Sequence, residues 1–174
     1  MTHEIKQTTK KVDNEILGLL SEDSRLSNRE LGRKLERSPL TIKNHIDEMV
    51  KTKIIKGYSL DIDYEKVGYD IIAIIELTIS KGKMIEVEKI IAQNPNVFAV
   101  YDITGTYDAL ILARFKTRAE LSDMIKEELH ASPYVERTNT HIVLNILKEE
   151  TSFNKLLEKE RRKTIKSTNT KTVQ

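Results

Sequence analysis

Lys43 and Asn44 stand side by side in a stretch that opens with Ser38-Pro39. An ammonium meets a phosphate or a guanine edge, and a carboxamide offers the donor–acceptor pair that suits adenine. Thr41 and the amides at a helix start suit a phosphate oxygen. Arg29, Arg33, Lys34 and Arg37 lie just upstream as candidate backbone contacts. Surface Lys and Arg are common, so the spacing of the elements must carry that argument. A second cluster is Gly105-Thr106-Tyr107-Asp108. Its free amides could hold a carboxylate and Asp108 an ammonium, which together describe a small zwitterion. The same residues also make an ordinary hairpin turn, and on the residues alone that reading is preferred.

Other chemistry is poorly supplied. There is no cysteine, which excludes disulfides, thiolate zinc sites and cysteine nucleophiles. His3, His45, His130 and His141 show no ligand spacing, so no metal is expected. No Ser-His-Asp set can be placed and no glycine-rich phosphate loop precedes a helix, so neither catalytic residues nor a cofactor are expected. Glu86-Glu88 and Glu127-Glu128 read as solvated helix faces. Met1 to Lys11 is polar and lacks the apolar core of a secretory signal. The longest apolar run, Ile71 to Ile75, is far too short to span a bilayer. A cytoplasmic protein with no membrane partner is expected.

The 174 residues carry 29 Lys/Arg and 27 Asp/Glu, a net charge of +2 that hides an asymmetry. Residues 1–60 are net +3, residues 61–150 net −6 and residues 151–174 net +5. Basic ends around an acidic middle suggest that the ends meet a polyanion.

The elements that must position the first cluster are three short helices. Val12, Ile16, Leu19 and Leu20 recur at helical spacing, with Asp13 and Glu15 in the first turn. Ser27 stands three residues before Glu30, a capping box, and Leu26 and Leu31 flank it as a hydrophobic staple. A helix from about Asn28 to Leu35 follows. Ser38 is the next N-cap, with Pro39 at the first helical position. Ile42, Ile46 and Met49 form its buried stripe, which turns Leu40, Thr41, Lys43, Asn44 and Asp47 outward, with His45 flanking. Only Glu36, Arg37 and Ser38 separate the two helices. That is a helix-turn-helix, whose second helix enters the major groove.

After Lys53 the period changes to two. Tyr58, Leu60, Ile62 and Tyr64 alternate with polar residues, which predicts a half-buried connecting strand. A β-α-β-β-α-β order then follows: a strand over Tyr69 to Ser80, a turn at Lys81-Gly82-Lys83, and a helix with a Met84, Val87, Ile90, Ile91 stripe. Val97 to Thr104 is the next strand, with Val97, Ala99, Tyr101 and Ile103 on one face. Ala109 to Phe115 pairs with it. A capping box at Thr117 and Glu120 starts a helix buried through Leu121, Met124, Ile125 and Leu129, and Arg137 to Leu147 is the last strand. This is the ferredoxin-like pattern, an α+β fold with both helices on one sheet face. The other face also carries apolar side chains and needs a cover, for which a second subunit is the natural candidate.

Taken together, Val12-Asp13 with Ile16-Leu17, Arg25-Leu26-Ser27 with Glu30-Leu31, Ser38-Pro39 with Ile42, and Ile54-Ile55-Lys56-Gly57-Tyr58 resemble the leucine-responsive/asparagine-responsive (Lrp/AsnC) transcription regulators. The Gly105 to Asp108 hairpin and Val135-Glu136-Arg137-Thr138 are similar to motifs of the family's second domain. The resemblance runs from about Val12 to Lys148. It implies a winged-type helix-turn-helix over residues 1–57, a connecting strand over 58–66, and a ferredoxin-like ligand-sensing and oligomerisation domain over 67–150. Residues 151–174 fall outside it as a basic tail, in which Leu156 and Leu157 could continue a helix and Ser167 to Gln174 reads as disordered. The implied partners are double-stranded DNA, a small amino-acid-like effector, and a second copy of the chain or a higher oligomer. The implied DNA-facing residues are Ser38, Leu40, Thr41, Lys43, Asn44 and Asp47, with Arg29, Arg33, Lys34 and Arg37 on the backbone. Effector contacts would come from Gly105, Thr106, Tyr107 and Asp108, with Thr138 and Thr140 as weaker carry-overs.

Two departures stand out. The family usually has a glycine and then an aliphatic residue in the turn, where this chain has Glu36-Arg37. A left-handed backbone at position 36 would therefore cost about 1 kcal/mol. The recognition helix is also poorer in arginine, and Asp47-Glu48 would repel phosphate. Competing readings are an enzyme of the sirohaem-decarboxylase type and a sensor module whose head does not bind DNA. The first needs basic and histidine groups converging on a large cavity, a poor match to an acidic middle domain. The basic tail is expected to add phosphate contacts.

Overall fold

The computed structural model describes residues 11–80, 82–149, 153–160 and 162. Lys81 of the expected turn and the stretch Ser167 to Gln174 lie outside the described residues. The chain divides into two units, residues 1–60 together with 149–174, and residues 61–148.

The first unit is helical: α1 (Lys11–Glu22), α2 (Asn28–Leu35), α3 (Pro39–Lys51) and α6 (residues 153–160). Each of the first three helices sends at least one side chain into a common core, formed by Ile16, Leu31, Ile42 and Met49, all essentially inaccessible. Burying each is worth about 1.5–3 kcal/mol, which is what fixes helices this short. Val12, Leu26, Leu35, Ile46 and Ile55 close around them. Leu156 and Leu157, where a helix could continue, lie in α6, which belongs to this unit.

Two start signals are built as the residue types require. Ser27 Oγ accepts from the Glu30 amide at 3.2 Å, and the Glu30 carboxylate accepts from the Ser27 amide at 2.8 Å. The hydroxyl bond holds the Glu30 carboxyl below its ordinary range. Ser38 Oγ accepts from the Thr41 amide at 3.0 Å, and Pro39 opens α3.

The expected strand over Tyr58 to Tyr64 does not form. Residues 55–63 have no regular structure, and Tyr58, Leu60, Ile62 and Tyr64 are exposed. Alternation selects a face only where a neighbouring strand supplies a ladder, and none of the described strands pairs with this stretch.

The second unit is a four-stranded antiparallel sheet of order β2-β3-β1-β4, with β1 (Ile71–Ile79), β2 (Val97–Asp102), β3 (Ala109–Phe115) and β4 (Val135–Ile142). The helices are α4 (Met84–Ile91) and α5 (Arg118–Asp123), the latter continuing as a π-helical turn over Met124–Leu129. Ala73, Ile75, Leu77 and Ile79 of β1 and Ala109, Ile111, Ala113 and Phe115 of β3 face the helices. Val87, Ile91, Leu121, Met124 and Leu129 pack on them. This is the expected βαββαβ arrangement.

Three details differ from the sequence reading. β4 ends at Ile142, not Leu147, because its partner β1 begins at Ile71 and offers nothing further to pair. In β2 the register with β3 slips between Val97 and Ala99. A bulge switches the face of every residue beyond it, so Val97 and Val100 pack on the core while Tyr101 is exposed. Ile90 is exposed as well, since Val87 and Ile91 already fill the contact side of so short a helix.

Candidate nucleic-acid interface and hairpin site

The turn between α2 and α3 is closed by the α2 carboxyl end. Glu36 adopts φ 55°, ψ 45°, and its amide and that of Arg37 both donate to the Gly32 carbonyl, the latter at 2.9 Å. This is a Schellman-type close, which needs a left-handed residue and usually uses glycine. The chain then turns straight into the Ser38 cap. A tight corner with α3 beyond it is what the sequence spacing demanded.

α3 presents Leu40 (66% exposed), Lys43, Asn44 and Asp47 to solvent, and Ser38 is exposed at its start. Lys43 Nζ lies 2.5 Å from Asp47 Oδ2, one helical turn on. In the free protein the cation is therefore partly neutralised, although a pair this exposed is worth only a few tenths of a kcal/mol. Thr41 is half-buried, and its amide is already spent on Ser38 Oγ. The Ile42 amide donates to the Ser38 carbonyl. The amino end of α3 thus has fewer amides for a phosphate than expected, and its side chains carry more of the contact. Arg29, Arg33, Lys34 and Arg37 are all exposed. Arg37 Nη1 donates to the Glu36 carbonyl at 3.1 Å.

One positioning contact was not foreseen. His45 Nδ1 lies 2.5 Å from Oδ1 of Asp13, a carboxylate only 8% exposed. It ties the back of α3 to α1 across 32 residues. Asp13 was legible as a first-turn acid and His45 as a residue flanking the stripe, but pairing them requires the tertiary fold.

In the second unit, Gly105 takes φ 131°, a conformation that side chains resist. Gly105 and Thr106 are exposed, while Tyr107 and Asp108 are half-buried. Asp108 Oδ2 accepts from the Ile79 amide at 2.8 Å, beside the irregularity between Thr78 and Ile79, and the Asp108 amide donates to Leu77. Its carboxylate therefore serves the sheet. Tyr107 lies under the Arg137 guanidinium, 5.8 Å from ring centre to Cζ. Thr138 sits opposite Leu77, which sits opposite Ala109, so Thr138 and the Asp108 end of the hairpin share one end of the sheet. Thr138 Oγ1 is 3.0 Å from His130 Nε2. Thr140 lies one row further in, opposite Ile75. His141 and Asn139 gather on Glu76 of the opposite sheet face, at 3.3 and 2.8 Å. The two histidines of this unit thus serve separate polar contacts. Among the described residues, no group of three His, Asp or Glu could hold a metal ion. No helix among them is long and apolar enough to cross a membrane.

Comparison with known proteins agrees with both halves of this geometry. Residues 10–56 match the winged helix-turn-helix DNA-binding model, and residues 72–153 match the Lrp/AsnC ligand binding domain. An HTH-type transcriptional regulator of Pyrococcus furiosus is 42% identical over 139 residues, covering 80% of this chain and 93% of its own. LrpC of Bacillus subtilis is 31% identical over 134 residues, covering 77% and 90%. Among solved structures, the Neisseria meningitidis transcriptional regulator in complex with L-Met superposes with a TM-score of 0.76 at 26% identity, covering 83% of this chain and 96% of that one. Escherichia coli AsnC shares the fold, with a TM-score of 0.78 at 23% identity over 84% and 99%. The chain belongs to the Lrp/AsnC family of helix-turn-helix, DNA-binding transcription regulators.

Proposed function

We propose that this regulator reads duplex DNA as a homodimer, with α3 in the major groove, and that a small amino-acid-like effector at the hairpin end of the sheet modulates it. The bare outer face of α3, held behind a three-residue corner, carries the reading. Lys43 and Asn44 meet base edges, while Arg29, Arg33, Lys34 and Arg37 lie on the phosphates.

Dimerisation is supported by the sheet face turned away from the helices. Ile72, Ile74, Leu110 and Leu112 alternate with the core residues and so lie on that face. Tyr101, opposite Leu110, lies on it too and is exposed. Glu76, Asn139 and His141 stand on the same face, so it presents an apolar patch beside a polar cluster, a surface that a matching copy can cover. Two heads in a dimer call for a roughly palindromic site, with half-sites one or more helical turns apart.

The effector would place its carboxylate on the amides at Gly105 and Thr106. Its ammonium would meet the Asp108 oxygen that Ile79 leaves free, with Tyr107, Thr138 and Thr140 as neighbours. The L-Met complex of the Neisseria regulator is consistent with an amino acid as the ligand class. Random-duplex binding at low salt tests the head: Lys43→Ala and Arg33→Ala should each weaken it several-fold. No affinity in the parent would return the chain to the sensor-module reading. A thermal-shift screen of the twenty amino acids tests the hairpin, with loss of any shift expected in Asp108→Ala.

A further inference from the structure

The hairpin end of the sheet offers more to anions than an amino acid with one carboxylate can use. Gly105, Thr106 and Tyr107 lie between β2 and β3, and among the described residues their amides donate to nothing. Successive free amides in a turn are donors for an anion. They account for one carboxylate.

A second anion-seeking group stands across β1. Arg137 enters β4 opposite Thr78, while Asp108 meets the same end of β1 from the β3 side, at Leu77 and Ile79. The Arg137 guanidinium lies over the Tyr107 ring, 5.8 Å from its centre, so it stands beside the residue that carries the last of the free amides. Arg137 is exposed and has no ion-pair partner among the described residues. Glu136, its neighbour in the chain, is engaged elsewhere, with Oε1 accepting from the Ser80 hydroxyl at 2.9 Å. In a stretch of net −6, residues 61–150, this arginine is held by a ring and not by an acid. A ring takes up one flat face of a guanidinium. The N–H fork in its plane stays free, and the spacing of that fork matches a carboxylate.

Asp108 supplies the opposite sign. Its Oδ2 is spent on the Ile79 amide, which leaves the other oxygen for an ammonium. The site therefore has two places for a negative group and one for a positive group. We propose that the effector is an amino dicarboxylic acid, with its α-carboxylate on the hairpin amides, its ammonium on Asp108 and its side-chain carboxylate in the Arg137 fork. The proposal rests on the reading of the hairpin as an effector site, and it names the ligand class and the residue that selects it. Other side chains fit worse. An apolar one would strip water from the guanidinium and return no hydrogen bond. A cationic one would be repelled. A carboxamide keeps the shape of the acid but gives up the charge that makes such hydrogen bonds strong.

The test is isothermal titration of the full-length chain with L-aspartate, L-glutamate, L-asparagine, L-glutamine and L-leucine, the acids as neutral sodium salts. One of the two acids should bind at least about tenfold tighter than its own amide. Arg137→Gln should bring that acid down to the level of the amide and leave the affinity for the amide unchanged, which separates lost charge recognition from a damaged site. Arg137→Lys, which keeps the charge and gives up the fork, should recover part of the preference. Both variants should melt with the parent when no ligand is present. An amide or leucine bound as tightly as the acids overturns the proposal and leaves the effector reading standing. An acid preference that survives Arg137→Gln overturns it as well, because another group would then read the second carboxylate. No binding by any of the five, with no shift in the screen of the twenty amino acids, removes the effector reading and the proposal with it.

Discussion

Gly32 and Arg37 approach so closely that a Cβ built on Gly32 would stand 2.6 Å from the Arg37 carbonyl oxygen. That oxygen is backbone in the three-residue corner, so it cannot swing aside as a side-chain tip would. The helix-turn-helix corner is therefore packed against the surface of α2 itself. Gly32→Ala should destabilise the head by about 1–3 kcal/mol, the usual range for forced overpacking. Urea unfolding followed by far-ultraviolet dichroism would measure it, and DNA affinity should fall with it. A neutral result would mean that the corner shifts freely and that its geometry does not set α3.

The same corner contains removable strain. Glu36 occupies the left-handed region, where a Cβ crowds its own backbone. Glu36→Gly should stabilise the head by about 1 kcal/mol. Removal of an acid from the corner beside Arg37 should also strengthen random-duplex binding modestly. A destabilised Glu36→Gly in urea would show that the side chain contributes more than its backbone strain costs.

The helix starts were legible because capping is local: Ser27, Glu30, Ser38 and Pro39 do in the structure what their types prescribe. β3 was legible because every second residue is core. The failures share another cause, since each depended on what lay alongside. Tyr58 to Tyr64 alternates without a neighbour to pair with. The slip after Val97 leaves no mark in residue type, and it moves Tyr101 off the face expected for it. Leu157 read as a possible helix continuation, but nothing in its own surroundings named Gly18 of α1 as the surface waiting for it. The hairpin was ambiguous for a different reason. Asp108 holds the Ile79 amide, so turn chemistry and ligand chemistry ask for the same residue.

Glu88 provides a pH test of the second unit. Burial, and then the charge of Asp102, push its carboxyl above the ordinary value of 4.5. Its Oε1 is buried without a hydrogen-bond partner. The folded state therefore holds this proton more tightly than the unfolded chain. The resulting stabilisation is full below about pH 4.5 and is lost as pH rises through the folded value. At neutral pH the charge of this half-buried carboxylate is a liability. Glu88→Gln should raise the melting temperature at pH 7 and leave it nearly unchanged at pH 4. A gain of equal size at both pH values would assign the effect to packing.

Asp47 decides how the recognition helix uses Lys43. Their ion pair holds the ammonium in place and sets a carboxylate on the face that must meet phosphates. Asp47→Ala removes the local partner and one repulsive charge together, so binding to random duplex at low salt should tighten several-fold. The gain should shrink above ~0.2 M salt, where the Debye length falls below 8 Å. Binding to a specific target answers a separate question. If Asp47 accepts from a cytosine amino group, the same substitution loosens the target complex by about 1–3 kcal/mol and narrows the gap between specific and random sites. Unchanged affinity for both duplexes would move Asp47 off the interface, and the contact face of α3 would then centre on its amino end, at Leu40 and Asn44.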